Sequence, residues 1–335
     1  GSGGNKSGIP TVNGSVVFDE RYLGKPLVYC GTVGMMPVEI HGRPGHYKKA
    51  LKGDIVVMAG GRIGKDGIHG ATFSSEELHE GSPATAVQIG DPITQRKLYD
   101  CIIPARNLGY YNASTDNGAG GLSSSVGEMA EDTGGCRIDL AKAPLKYDGL
   151  KPWEILLSEA QERMTLAVPP QHLHAFLKLA EEMDVEATPL GEYTDTGYFH
   201  VTYGDKNVAC LPMEFMHDGV PQMRLEARWE RPTAHAPGDG SLKDSSGGAV
   251  DLEAFSVNAY DQKSLLLAML GRLNICSKEY LIRRYDHEVK GGSAVKPLVG
   301  VMRDGPGDAA VLRPLLNSEC GLGRSHGLRP NNSDP

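Results

Sequence analysis

A glycine-rich loop at residues 60–73 carries the side chains best suited to chemistry in this sequence. It contains five glycines and follows the apolar run 54–59, which predicts a buried strand. Such a loop lets backbone N–H groups approach an anion, and its cations add charge. It is not a Walker A loop, because Gly60 and Gly64 enclose only three residues and Asp66 follows Lys65. The candidate anion-binding residues are Arg62, Gly64, Lys65, Asp66, Gly67 and His69.

A second glycine loop, at residues 117–121, leads into a predicted helix. Leu122, Val126 and Met129 recur at helical spacing directly after it. The N-terminus of a helix favours anions, and Asp116 just ahead of the loop is a candidate Mg²⁺ ligand. The anion-binding candidates in this loop are Gly118, Gly120 and Gly121.

These two loops, together with residues 157–164 (Leu-Ser-Glu-Ala-Gln-Glu-Arg-Met), resemble the phosphoribosylformylglycinamidine synthase family. That family belongs to the aminoimidazole-ribonucleotide-synthetase-like superfamily of ATP-using enzymes. The resemblance covers nearly the whole chain, through further motifs at residues 8–14, 87–92, 194–199 and 285–289.

The resemblance implies an ATP-dependent C–N ligase of purine biosynthesis. Formylglycinamide ribotide would take the γ-phosphoryl group on its amide oxygen, and ammonia would displace phosphate from the iminophosphate to give formylglycinamidine ribotide. A glutaminase domain or subunit would supply the ammonia. Such chemistry depends on Mg²⁺ and on oriented donors more than on a protein nucleophile.

The resemblance also assigns roles to individual residues. Gln88, Glu159, Ala160 and Gln161 are expected to contact the ribotide, and Asp116 to help hold Mg²⁺ near the triphosphate. An amide both donates and accepts hydrogen bonds, and a carboxylate accepts from ribose hydroxyls. Ala160 stands where many relatives have Ser, so the resemblance implies one hydrogen bond fewer at this position. The catalytic residues are unknown, with His69 a possible one.

Composition excludes several classes of protein. The 335 residues carry 34 basic and 42 acidic side chains, a net charge of −8, which argues against a general nucleic-acid or membrane-surface binder. No apolar run approaches the length of about 18 residues that a membrane span needs.

Six scattered cysteines, with no Cys-x-x-Cys spacing, argue against zinc and against a disulfide framework. Free thiols fit a reducing cytoplasm, where we expect the protein. None lies in the Gly-x-Cys-x-Gly setting of a glutaminase nucleophile.

The predicted fold class is α/β (α+β), in an arrangement like that of AIR synthase. Residues 1–82 are expected to be the second half of a β-rich N-terminal-type domain, with strands at 15–18 and 26–30. Residues 83–230 would form a complete α/β sandwich of the C-terminal type. A linker at 231–262, rich in Pro, Gly and Ser, would precede the truncated start of a second N-terminal-type domain at 263–335.

The chain is expected to be an internal piece of a longer enzyme, with little or no activity alone. Two alternatives stay open. One is another ATP-using enzyme of the same superfamily, and the other is a non-catalytic nucleotide-binding scaffold. Ribotide binding at the Gln88 and Glu159 site would separate them.

Overall fold

The computed structural model describes residues 2–76, 86–226, 228, 242–243, 249–250 and 261–328. The chain divides into two compact units, each built from two segments. The first is Gly1–Pro10 with Gly24–Gln222, and the second is Thr11–Leu23 with Met223–Pro335.

The first unit holds the helices and strands that surround both glycine loops. Its described helices are α1 (Ser2–Ser7), α2 (Gly70–Ser74), α3 (Pro92–Asn107), α4 (Gly121–Glu131), α5 (Pro152–Leu157), α6 (Pro170–Glu182) and α7 (Met213–Asp218). Its described strands are β1 (Glu39–Ile40), β2 (Arg43–Pro44), β3 (Ile55–Gly60), β4 (Ala113–Asp116), β5 (Cys136–Asp139), β6 (Arg163–Val168), β7 (Ala187–Tyr193), β8 (Tyr198–Tyr203) and β9 (Lys206–Pro212).

Seven of these strands form one mixed sheet in the order β4-β6-β3-β7-β5-β8-β9. All neighbours are antiparallel except β5 and β8, which are parallel. Strand β3 is buried almost throughout, as its continuous apolar sequence predicts for a strand covered on both faces. The glycine loop that follows β3 therefore starts inside the sheet.

Helices cover both faces of this sheet. Val57 and Ala59 pack in one core with side chains of α3 and α6. Val56 and Met58 point the other way, into a core shared with α4 and α5. Helix α3 begins at Pro92 because the Asp91 side chain accepts the N–H of Ile93 at 3.1 Å, which is an N-cap followed by proline at the first helical position. The predicted α/β fold class is confirmed.

Strand β3 lies before the domain boundary that the sequence predicts at residue 83. It nevertheless pairs with β6 on one side and with β7 on the other. Residues 84–230 alone would therefore form a sheet without one of its inner strands.

The strands expected at residues 15–18 and 26–30 are absent from the described structure, where both segments are irregular. Leu27, Val28 and Tyr29 are exposed. A strand needs a neighbouring strand to satisfy its backbone groups, so β propensity alone does not form one.

The second unit is smaller, and its elements are short. Its described elements are β10 (Leu242–Lys243), β11 (Ala249–Val250), α8 (Gln262–Leu270), α9 (Glu279–Ile282), β12 (Ser293–Val295), β13 (Leu298–Val299), β14 (Gly305–Pro306), β15 (Ala310–Leu312) and β16 (Leu322–Arg324). Strands β12, β15 and β16 form a three-stranded sheet. Most of the linker expected at 231–262 lies outside the described residues.

Among the helices of the described residues, none combines the length and the apolar character needed to cross a membrane.

Candidate functional site

The carboxylate of Glu159 joins three segments that are far apart in sequence. Its Oε2 accepts hydrogen bonds from the N–H of Ala71 and from Nε2 of Gln88, both at 3.0 Å. Its Oε1 accepts the N–H of Gly120 at 3.3 Å. Glu159 is 3% exposed, so these bonds form away from bulk water, where each counts for more. The two glycine loops and the Gln88 segment therefore meet at one side chain.

Glycines let both loops approach the chain around Glu159. A Cβ added at Gly121 would lie 2.1 Å from the carbonyl oxygen of Ser158, and one at Gly67 would lie 2.9 Å from atoms of Glu159. Both glycines also have positive φ, at 57° and 78°. Side chains are excluded at these positions by packing against the turn at residues 158–161, whether or not an anion binds there.

That turn, residues 158–161, is fixed by its own hydrogen bonds. Ser158 Oγ donates to the carbonyl oxygen of Gly64 at 2.7 Å and accepts the N–H of Ala160 at 3.2 Å. Gln161 Nε2 donates to the carbonyl oxygen of Glu159 at 3.0 Å. Ala160 is fully buried and offers only its backbone, so its N–H and carbonyl oxygen are both used within the protein.

The charged residues of the first loop are each paired with a residue outside it. Arg62 Nε lies 2.8 Å from Glu186 Oε2, and Lys65 Nζ lies 3.2 Å from Glu154 Oε1. Asp66 Oδ2 lies 2.8 Å from Nζ of Lys146. These pairs reduce the positive charge that Arg62 and Lys65 offer to a phosphate.

Glu154 is suited to hold Lys65 in place. Its carboxylate accepts the N–H of Lys151 at 2.7 Å and also pairs with Lys65. Both interactions lower the pKa of the carboxyl group, and the bond from Lys151 has the larger effect. The main chain of Lys65 is also held, because its N–H donates to the Tyr147 hydroxyl at 2.8 Å.

His69 and Asp116 are the two candidates whose side chains have no hydrogen bond or ion pair to the described residues. His69 is exposed and precedes α2 with a φ of 60°, and its ring does not cap that helix. Asp116 is exposed at the end of β4, immediately before the second glycine loop. Both side chains are therefore available to a ligand.

A complete protein-built metal site is absent from the described residues, in which no three His, Cys, Asp or Glu side chains cluster suitably. Mg²⁺ often takes only one or two carboxylates and completes its shell with water and substrate phosphates. An exposed, unpaired Asp116 fits that mode of binding.

Gln88 lies in an irregular segment, where its neighbours Val87 and Ile89 are 63% and 68% exposed. Its side chain is positioned by its hydrogen bond to Glu159.

Several residues of this site were not predicted as site residues: Ser158, Glu162 and Arg163, which lie within the motif at 157–164, and Lys146 and Glu154. Arg163 donates to the carbonyl oxygens of Ser158 and Ala160. Glu162 has a φ of 59° and accepts the N–H of Asp91, yet burial raises the pKa of its carboxyl group. In the sequence, the feature that could have indicated these residues is the pair of adjacent charges, Glu162 and Arg163, at the start of the apolar strand β6.

Comparison with known proteins agrees with the fold. Residues 52–204 match the family described as AIR synthase related protein, C-terminal domain. Thermotoga maritima PurL complexed with FGAR has a TM-score of 0.63 at 24% identity, covering 93% of this chain and 45% of that one. At that identity the likeness concerns the fold alone.

Closer relatives are found among curated proteins. The chain is 39% identical over 302 residues to the phosphoribosylformylglycinamidine synthase subunit PurL of Methanopyrus kandleri, covering 88% of this chain and 38% of that protein. It is 33% identical over 332 residues to the same subunit of Thermoplasma acidophilum, covering 98% and 41%. The chain thus spans about two fifths of the length of these relatives. The chain is therefore similar, along nearly all of its length, to the phosphoribosylformylglycinamidine synthase subunit PurL, and its residues 52–204 match the AIR synthase related C-terminal domain.

Proposed function

We propose that this chain forms the ribotide-binding part of an ATP-dependent ligase that converts formylglycinamide ribotide and ammonia to formylglycinamidine ribotide. The observation that carries the proposal is the meeting of Gln88, Glu159 and both glycine loops at one buried carboxylate. Gln88 donates one N–H of its amide to Glu159, so the second N–H and the carbonyl oxygen of that exposed amide suit a hydrogen-bonding substrate.

In this proposal the Gln88 and Gln161 amides orient the formylglycinamide group and the ribose. Glu159 has about four lone-pair positions and uses three of them within the protein, so about one remains for a ribose hydroxyl. The glycine loops, with Gly118 and Gly120, would face the phosphate groups.

ATP is the proposed phosphoryl donor and Mg²⁺ the proposed metal. Mg²⁺ would neutralise charge on the transferring phosphoryl group, and Asp116 would hold it, supported by that residue's exposure beside the second glycine loop. His69 remains the candidate for a catalytic side chain in this chain. A glutaminase domain or subunit is the proposed ammonia source.

We further propose that the substrate-binding domain starts near residue 52 rather than at 83. The family match over residues 52–204 and the pairing of β3 within the sheet favour this limit. A cytoplasmic location is proposed from the free cysteines.

Calorimetric titration of the full-length protein with formylglycinamide ribotide tests the function. We expect binding of the ribotide, and weaker binding of glycinamide ribotide, which lacks the formyl group. Gln88→Ala should weaken ribotide binding, whereas Gln171→Ala, at an exposed position on α6, should not. A protein that binds ATP but neither ribotide would contradict the proposal and favour a scaffold or another enzyme of the superfamily.

A further inference from the structure

Arg163 lies beneath the turn at residues 158–161 and is almost completely buried, at 3% exposure. Its Nε donates to the carbonyl oxygen of Ala160 at 2.7 Å, and its Nη2 donates to that of Ser158 at 2.5 Å. These two carbonyls flank Glu159 in the chain. One rigid guanidinium therefore fixes the main chain on both sides of the residue that joins the site.

This arrangement has an energetic cost. Within the described part of the chain, Arg163 forms no ion pair with a carboxylate, and its third nitrogen, Nη1, lies 3.8 Å from Met58 Sδ. Moving a charge into the protein interior costs several kcal/mol. Burial lowers the pKa of Arg163 to about 10, and the negative charge of Asp66 opposes that shift only in part. An uncharged side chain of the same size would avoid this cost but could not donate to two carbonyl oxygens in one plane.

The glycine loops hold the same turn from other directions. Gly121 packs on the Ser158 carbonyl group and Gly67 on the backbone of Glu159. The turn is thus enclosed, and its conformation sets where the Glu159 carboxylate meets Ala71, Gln88 and Gly120. A small rotation of the Ser158 or Ala160 peptide would move that carboxylate away from its partners.

We propose that Arg163 is a positioning residue for the ribotide site, acting through Glu159 and Gln161 without touching substrate. The inference rests on the proposed ribotide function. Lysine cannot replace arginine in this role, because an ammonium group lacks the planar fork that reaches two carbonyl oxygens together.

The test is Arg163→Lys in the full-length protein, with Arg137→Lys as the matched control at an exposed position of β5 in the same sheet. We expect the KM for formylglycinamide ribotide to rise about tenfold, equivalent to about 1.4 kcal/mol, with the KM for ATP within about twofold of the wild type. Amide hydrogen exchange at Ala71 and Gly120 should accelerate, because both N–H groups lose their acceptor.

Unchanged ribotide KM and unchanged exchange in a folded Arg163→Lys protein would overturn the inference. If that variant does not fold, Arg163→Gln removes the buried charge and is read in the same way, and failure of both variants to fold would also overturn it. A wild-type protein that binds no ribotide would instead refute the proposed function, and faster exchange at Ala71 and Gly120 would then still establish the positioning of Glu159.

Discussion

Gln88 Nε2 lies 3.0 Å from Glu159 Oε2, although 71 positions separate the two residues in the chain. The same oxygen accepts the N–H of Ala71, and the other accepts the N–H of Gly120. The carboxylate is therefore the common acceptor for three donors, which are two backbone N–H groups at the starts of helices α2 and α4 and one side-chain amide.

Glu159→Gln should destabilise the protein although it preserves size. An amide offers one acceptor oxygen and presents N–H groups on its other side, so at least one backbone donor would face another donor. A buried donor left without a partner costs about 1–3 kcal/mol. Thermal unfolding measures this loss, and Glu181→Gln, at an exposed site on α6, is the control. Equal melting temperatures for the two variants would show that the carboxylate is not needed.

Gly121→Ala should destabilise the protein more than Gly134→Ala. Both glycines have positive φ, which costs a residue with Cβ about 1–2 kcal/mol. Only at Gly121 would Cβ also collide with a carbonyl oxygen, that of Ser158, whereas the space around Gly134 is open. We therefore expect a further loss of about 1–3 kcal/mol at Gly121. Denaturant unfolding of both variants measures the difference, and equal losses would mean that the loop does not press on the turn.

Asp116→Asn should weaken the use of Mg²⁺ and ATP far more than folding. The side chain is exposed and makes no hydrogen bond to the described residues, so its removal leaves the surrounding structure intact. The measurement is activity of the full-length protein across magnesium concentration, beside a melting curve. An unchanged magnesium dependence would remove Asp116 from the proposed metal site.

Glu162→Gln should change how stability depends on pH. Burial raises the pKa of Glu162 above its ordinary value of 4.5, so the folded state favours the protonated carboxyl group. The protonated Glu162 carboxyl group therefore contributes to stability below pH 4.5, and this contribution is lost as pH rises through the folded-state pKa. Glutamine does not titrate, so the variant keeps its stability as pH rises. Its melting temperature should therefore increase relative to that of the wild type above pH 4.5. A difference that is constant with pH, or of opposite sign, would contradict the assignment.

Sequence patterns predicted the elements whose stability is local or strongly periodic. Strand β3 and helix α4, which follows the second glycine loop, both form as expected. Helix α3 continues past Pro104 to Asn107, because packing of Leu98, Cys101 and Ala105 outweighs the missing N–H of the proline. The expected strands at 15–18 and 26–30 do not form, because their apolar residues have no neighbouring strand to pair with.

The candidate site was predictable only in part. Glycine loops and a motif around Glu159 are visible in sequence, and the carboxylate does bring them together. The pairing of Arg62 with Glu186 and of Lys65 with Glu154 depends on tertiary structure and has no signature in local sequence. Arg163 lies within the motif at 157–164 but was not predicted as a site residue, because a charged residue at the start of a strand is usually exposed.

The most direct test of the ribotide site is a paired measurement of KM for formylglycinamide ribotide and for ATP in the full-length protein, with Gln88→Ala and Glu159→Ala. Loss of a hydrogen bond to a neutral group costs about 0.5–1.5 kcal/mol. We therefore predict that each substitution raises the ribotide KM several-fold and leaves the KM for ATP nearly unchanged. If both substitutions act on ATP alone, the residues around Glu159 bind the nucleotide, and the account of this site is wrong.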